Sequence, residues 1–307
     1  MDNNVSYQDE KIKFEDIIEK DVDLSKLTSM GTGGKAQYLS TPGRFEELIT
    51  SLNFARENNL KITILGAGSN VLISDKGIDG LVIRTQHLSR FSTKGNLFCC
   101  RAGMSVEKAI SITLDDGMLG LEGLSGIPGS IGGAVRGNSG ANNNFISDHL
   151  LYVDYVTYDG KTHRMGSQVL NFGYRYSTFQ DMKDCIIFEV GFSLSNSNES
   201  FRKVRDGQTI IKKQRKDRGL FDYASAGCIF KNPVGKYTAG ELIDSIGLKG
   251  KTYGGAMVSS KHANLIVNYK DATSSDIYKL AQICKDEVAK KTGVELEYEI
   301  ELLGDFN

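Results

Sequence analysis

The sequence predicts an α+β protein with more than one hydrophobic core, and three observations carry that prediction. At 307 residues the chain exceeds the size at which a single core usually stops growing. Apolar residues recur with helical spacing in some segments and as short runs or strict alternation in others, so both periods are present. The composition, 40% apolar and 24% charged, is that of a globular protein with enough apolar side chains to fill those cores.

Taken in order, residues 44–59 read as a helix, with Phe45, Leu48, Leu52 and Ala55 on one face and Asn58-Asn59 ending it. Short apolar strands follow at Ile62–Leu65, Val71–Ile73 and Leu81–Ile83. Ser105 has the character of an N-cap for a helix through Asp115, with Gly117 just beyond its end. Tyr152–Tyr158 and Thr162–Met165 flank Asp159-Gly160, a hairpin turn signal, and Cys185–Leu194 is a further apolar strand. The basic stretch 201–218 reads as a helical connector into a last domain. There, Thr238-Ala239-Gly240-Glu241 is a capping box for a short helix that stops at Gly247. A longer helix over 274–291 aligns Ile277, Leu280, Ala281, Cys284 and Val288. The strict alternation from Val294 to Leu302 predicts one half-buried strand whose Glu295, Glu297, Glu299 and Glu301 share a solvated face.

With 37 basic and 38 acidic residues the net charge is −1, which argues against a surface built for nucleic acid. The five cysteines form no C-x-x-C pair, so neither a zinc site nor a disulfide framework is supported; reduced thiols in a cytoplasmic protein are the simple reading. The start, Met1-Asp2-Asn3-Asn4-Val5-Ser6-Tyr7-Gln8, lacks the basic and apolar regions of a signal peptide, and no apolar run approaches the roughly 20 residues that cross a bilayer.

Four segments have the composition of a ligand site. Gly66-Ala67-Gly68-Ser69-Asn70 lies between two strands, and small residues there serve either a plain tight turn or a cradle of amides for a pyrophosphate. It is not a dinucleotide-fold fingerprint, since Val71 replaces the third glycine and a strand follows. Gly117–Ala141 holds nine glycines in 25 residues, yet 123–135 is uncharged and apolar; an ordered loop against a large, flat cofactor accounts for both. Ala224–Pro233 is a small-residue run that delivers the Cys228 thiol ahead of Lys231-Asn232, a place for an anionic ligand, or else merely buries an inert cysteine. Arg175, among Tyr174, Tyr176 and Phe172, suits bidentate capture of a carboxylate as well as simple stacking at the surface.

In this order, Thr28–Gly34, Gly66–Asp75, Gly120–Ala141, Phe172–Phe179, Gly227–Pro233, Ala239–Gly250, Gly254–Asn268 and Leu296–Gly304 resemble the UDP-N-acetylenolpyruvoylglucosamine reductase (MurB) family. The resemblance implies a two-lobed FAD-binding domain of the PCMH or vanillyl-alcohol-oxidase type, with lobes 1–85 and 86–200. It also implies a C-terminal α+β substrate domain, 201–307, whose last strand returns Glu299 to the site. The short chain fits the family's shorter subtype.

By that resemblance, FAD is held by Gly66, Ala67, Gly68, Ser69 and Asn70, by Gly126, Ile127, Pro128, Gly129, Ser130, Gly132 and Gly133, and by Asn138. None of the four histidines lies in the two glycine loops, so the FAD is expected to be non-covalent. NADPH is the implied co-substrate and a UDP-sugar the substrate, in peptidoglycan precursor synthesis, with no obligate protein partner. Arg175 and Glu299 match the family's arginine and glutamate. Cys228 stands where serine, the proton donor, is commonest, and Tyr298 where proline is frequent. Lys231, Asn232, His262 and Arg218 match substrate contacts, with Lys216 an alternative to Arg218 for the diphosphate. Two rivals are an alcohol or sugar oxidase of the same fold and a nucleotide-sugar-binding protein without flavin.

Overall fold

A computed structural model describes residues 13–141, 143–196 and 201–306; the N-terminal octapeptide discussed above lies outside them. The first sheet has the order Ile18–Asp23, Lys35–Ser40, Ile78–Arg84, Ile62–Leu65, antiparallel in its first pair and parallel in the other two. Helix α1 (Phe45–Glu57) buries Leu48, Leu52 and Ala55, the face that its spacing predicted. Those side chains pack with Leu81 and Ile83, and with Val156, Ile186 and Phe188 from the next sheet.

The second sheet is antiparallel, in the order Thr162–Gly166, Leu150–Thr157, Cys185–Ser193, Leu97–Arg101, Phe91–Lys94. Its hairpin turns at Asp159-Gly160, where Gly160 takes the positive φ of 86° that glycine supplies cheaply. Helices α2 (Val106–Asp115) and α3 (Ile131–Arg136) complete a core with Phe98, Val190 and Phe192. Ser105 caps α2 as its sequence position predicts, its hydroxyl accepting from the Lys108 amide at 3.2 Å.

After helix α4 (Phe201–Asp217), the last part of the chain folds around helices α5 (Ala239–Ser245) and α6 (Ser274–Thr292) and a three-stranded antiparallel sheet. The Thr238–Glu241 capping box forms, and Ile277, Leu280, Ala281, Cys284 and Val288 of α6 are all buried. This core also takes Met30 and Leu72 from the N-terminal part of the chain.

A polar joint fixes that docking. The Asp75 carboxylate accepts from the Ser274 and Ser275 amides, each at 2.8 Å, and from the Ser275 hydroxyl at 2.6 Å. It thus caps the start of α6 from another part of the chain.

The C-terminal segment departs from expectation. It is not one continuous strand: Glu301–Leu303 pairs in parallel with Val71–Ile73, while Tyr298 makes a single bridge with Phe230. The segment leaves one domain for the edge of another, so no partner runs its whole length. The alternation survives in burial, since Leu296 and Ile300 are 1% and 4% exposed. The solvated glutamate face does not: the Glu299 side chain is only 14% exposed, because this part of the face lies against Arg175.

Replacing Asp75 with alanine removes three bonds to a carboxylate and is expected to cost about 2 kcal/mol, lowering Tm by a few degrees in a thermal melt. Equal melting of variant and wild type would show that this joint contributes nothing.

Candidate active site

The two glycine loops meet on the lining of a cavity of about 1370 Å³. Ser69 donates its hydroxyl to the Pro128 carbonyl at 3.1 Å, and a Cβ on Gly66 would lie 2.6 Å from the Ser130 hydroxyl. The loops therefore meet closely only because glycine leaves the space. Among the described residues no acceptor takes the backbone N–H of Ala67, Gly68 or Ser69. Unpaired amides on a cavity wall are a donor set for a diphosphate, so these residues fit the nucleotide part of FAD. The uncharged Ile127, Pro128, Gly132 and Gly133 offer the adjoining apolar surface.

Of the residues expected at the cofactor, Gly66–Asn70, Ile127–Ser130, Gly132 and Gly133 line the cavity, whereas Gly126 and Asn138 do not. Gly126 donates its amide to Glu107 at 3.2 Å and packs against Arg215. Asn138 is 5% exposed and donates its side-chain amide to the Gly173 carbonyl at 2.9 Å. Both stand behind the wall and hold it.

That wall carries the arginine. Phe172–Gly173 and Tyr176–Ser177 form a tight hairpin with Tyr174 and Arg175 at its tip. Arg175 has φ +56°, a left-handed conformation that costs an arginine ~1–2 kcal/mol. Side-chain bonds surround it: Gln180 donates its amide to the carbonyls of Arg175 and Arg136 at 2.8 and 3.0 Å, and Ser177 donates to Arg136 at 2.8 Å.

The guanidinium reaches Glu299, Nε to Oε1 at 2.5 Å, and Nη1 donates to the Gly140 carbonyl at 3.3 Å. Burial pushes the Glu299 carboxyl above its ordinary value, against the pull of Arg175 and then Lys231.

Cys228 joins this pair through backbone pairing. The Lys231 amide donates to the Glu297 carbonyl at 2.9 Å and the Glu299 amide to Ile229 at 2.8 Å, so 229–231 and 297–299 form a short antiparallel ladder. The Tyr298 ring stacks on Phe230 at 5.5 Å and on Tyr278 at 6.3 Å, fixing that ladder against α6. Burial, then the Glu299 charge, pushes the Cys228 thiol up to about 12, while Arg175 and Arg215 pull the other way. It is a protonated thiol, not a nucleophilic thiolate.

Lys231, Asn232, His262 and Arg218 line the same cavity. His262 Nδ1 is buried without a partner among the described residues, and burial followed by Arg218 holds the imidazole below its ordinary value, hence neutral. The Asn232 amide donates to the Tyr174 hydroxyl at 3.2 Å, bringing the hairpin against the last domain.

Arg215 and Gln180 are among the further lining residues that the sequence reading did not name. Arg215 is half-buried, and burial, Arg218 and Arg175 lower its pKa. It lies one turn after Ile211 on α4 and three residues before Arg218, which follows the end of that helix, a spacing hidden within a largely basic run. Gln180 follows Arg175 by five residues, and no local pattern marks it.

Comparison with known proteins decides the family. One family model, described as an FAD binding domain, matches residues 36–166. A second, described as the UDP-N-acetylenolpyruvoylglucosamine reductase C-terminal domain, matches 219–303. The chain is 35% identical over 291 residues to the UDP-N-acetylenolpyruvoylglucosamine reductase of Geobacillus thermodenitrificans, covering 95% of this chain and 94% of that one. Identity to the Nostoc punctiforme protein of the same name is 38%, over 92% of this chain and 85% of the other.

The chain belongs to the UDP-N-acetylenolpyruvoylglucosamine reductase family. The crystal structure of the Thermus caldophilus member (MurB) has a TM-score of 0.78 and 33% identity, covering 94% of this chain and 99% of that one. The α+β fold with a PCMH-type FAD domain is thus that of the MurB family, and FAD is its cofactor.

Gly68 is a sensitive point of the MurB cavity. Its φ is +67° and a Cβ there would meet the Leu27 carbonyl oxygen at 2.2 Å. Gly68→Ala is expected to purify with much less bound flavin, read as visible absorbance per chain, at unchanged far-UV circular dichroism. Full flavin content would show that the loop does not need its left-handed turn.

Proposed function

We propose that this chain reduces the enolpyruvyl ether of UDP-N-acetylglucosamine to UDP-N-acetylmuramate, with non-covalent FAD and with NADPH, as a cytoplasmic step of peptidoglycan precursor synthesis. The observation that carries the residue roles is the convergence of Arg175, Glu299 and Cys228 on one wall of the cavity lined by the glycine loops. Lobes 1–85 and 86–200 hold the cofactor in this reading, and 201–307 holds the sugar nucleotide. No helix among the described residues is long and apolar enough to cross a membrane.

When bound, FAD supplies hydride transfer from NADPH to C3 of the enolpyruvyl ether. The amides of Ala67, Gly68 and Ser69 hold its diphosphate. Negative charge then builds on the substrate carboxylate as the ether becomes enolate-like, and the protein stabilises that charge. Arg175 presents a fixed guanidinium to it. Glu299 uses Oε1 for Arg175, which leaves Oε2 to carry a proton and donate to the substrate. Its raised pKa favours that protonated form.

Cys228 delivers the proton to C2. The thiol stays protonated at neutral pH, and Arg175 and Arg215, which oppose its upward shift, stabilise the thiolate left behind. Lys231, Asn232, His262 and Arg218 hold the sugar nucleotide, with Arg218 at its diphosphate.

Separate half-reactions test the assignment. Cys228→Ser is expected to remain active. Cys228→Ala should keep NADPH-driven flavin reduction at the wild-type rate while the sugar-nucleotide step slows about 10²–10⁴-fold in stopped flow. Wild-type turnover in the alanine variant would remove Cys228 from the mechanism.

The pH dependence has a definite sign. A donor with a raised pKa is in its working form below that pKa and loses it as pH rises. The sugar-nucleotide step should therefore fall on a basic limb above the ordinary carboxylate range, and Glu299→Gln, which cannot ionise, should flatten that limb. A rate that instead falls toward acid would mean that ionised Glu299 is the working form.

A further inference from the structure

The strained backbone at Arg175 needs something to hold it, and its surroundings identify the group. The side-chain amide of Gln180 has two N–H donors and spends both on backbone carbonyls: Arg175 at 2.8 Å and Arg136 at 3.0 Å. Arg136 ends α3, the short helix within the second glycine-rich segment, so one side chain ties the tip of the arginine hairpin to the cofactor wall. Gln180 itself lines the cavity and is half-buried. Ser177 bonds the Arg136 carbonyl too, at 2.8 Å, but no bond joins it to Arg175. General fastening of the hairpin is therefore shared by Ser177, Gln180 and Asn138, which donates to the Gly173 carbonyl, whereas the hold on the Arg175 carbonyl belongs to Gln180.

We infer that Gln180 is a positioning residue for Arg175: by fixing the carbonyl of a left-handed arginine it aims the guanidinium at Glu299 and at the substrate carboxylate. The inference rests on the roles proposed above for Arg175 and Glu299. Without the clamp the Arg175 peptide relaxes toward an ordinary conformation, and the guanidinium leaves Glu299 Oε1, now at 2.5 Å. An arginine displaced by about 1 Å from its working position costs on the order of 10²-fold in rate.

The same displacement leaves a second mark. The groups acting on the Glu299 carboxyl are burial, which raises its pKa, and Arg175 and Lys231, which lower it; the Cys228 thiol lies beside it. Weakening Arg175 removes the largest lowering influence, so the pKa of Glu299 rises further. A purely structural defect would lower stability or flavin content without moving that titration.

The test is the pH profile of the sugar-nucleotide half-reaction, measured by stopped flow on flavin-loaded protein. Four forms are compared: wild type, Gln180→Met, Ser177→Ala and Glu299→Gln. Gln180→Met keeps the side-chain length but donates nothing. It is expected to slow this step roughly 10- to 100-fold, to leave NADPH reduction unchanged, and to move the Glu299 limb to higher pH. Ser177→Ala should keep both rate and limb. If Gln180→Met does not retain flavin, Gln180→Glu serves instead: it keeps the shape but turns a carboxylate onto two carbonyls, and the same slowing and upward shift are expected.

A limb that vanishes in Glu299→Gln but stays in place in the Gln180 variants overturns the inference alone. An equal shift in Ser177→Ala also overturns it, because general fastening would then suffice. A limb that persists in Glu299→Gln overturns the site assignment, and this inference with it.

Discussion

The contact between Arg175 and Glu299 is the constraint on which the site depends. The two residues are 124 positions apart, and each is unfavourable where it stands: the arginine in a left-handed conformation, the carboxyl largely desolvated. Each supplies what the other lacks. Because the pair spans the FAD domain and the C-terminal segment, both must be held to within a fraction of an ångström, and the surrounding structure does this from two sides.

On one side, the Arg175 hairpin is fastened to the carbonyl end of α3, and Asn138 holds the Gly173 carbonyl from behind. On the other, the ladder of 297–299 with 229–231 sets the distance from Glu299 to Cys228. Asn70 ties the first glycine loop to the C-terminal segment. Its side-chain amide donates to the Glu299 carbonyl at 3.1 Å, and its own carbonyl accepts from the Glu301 amide at 2.9 Å. Two hydrogen bonds therefore join the Gly66–Asn70 loop to the segment that carries Glu299. An ion pair between Arg136 and Glu301, 2.8 Å apart, ties the end of α3 to the same C-terminal segment. Both partners are well exposed, so it contributes little to stability.

Local signals in the sequence were reliable wherever one face of an element decides its place. The buried faces of α1 and α6, the cap at Ser105 and the Asp159-Gly160 turn all rest on spacings that physics fixes within a few residues. The glycine loops were legible as unusual, because too many small residues in an apolar context require something to pack against. Glu299 was not legible from periodicity, since its alternation matches that of Glu295, Glu297 and Glu301. Only Arg175, which reaches it from a distant hairpin, makes it different.

Gly126 and Asn138 carry a related lesson: composition marked the right segments, but which residue faces the cavity and which supports it depends on partners such as Glu107 and Gly173. Tyr298 departs from the residue frequent in the family, and its ring makes physical sense between Phe230 and Tyr278, although its hydroxyl is buried without a partner among the described residues.

In the proposed reaction one bound flavin is reduced by NADPH and then reoxidised by the sugar nucleotide. An anaerobic titration of the wild-type protein tests it most directly: NADPH is added until the visible flavin absorbance is bleached, and UDP-N-acetylglucosamine enolpyruvate follows. Full bleaching is expected with one equivalent of NADPH per bound flavin, and full recovery with one equivalent of the sugar nucleotide. Flavin that stays bleached in excess sugar nucleotide would contradict the proposed reaction.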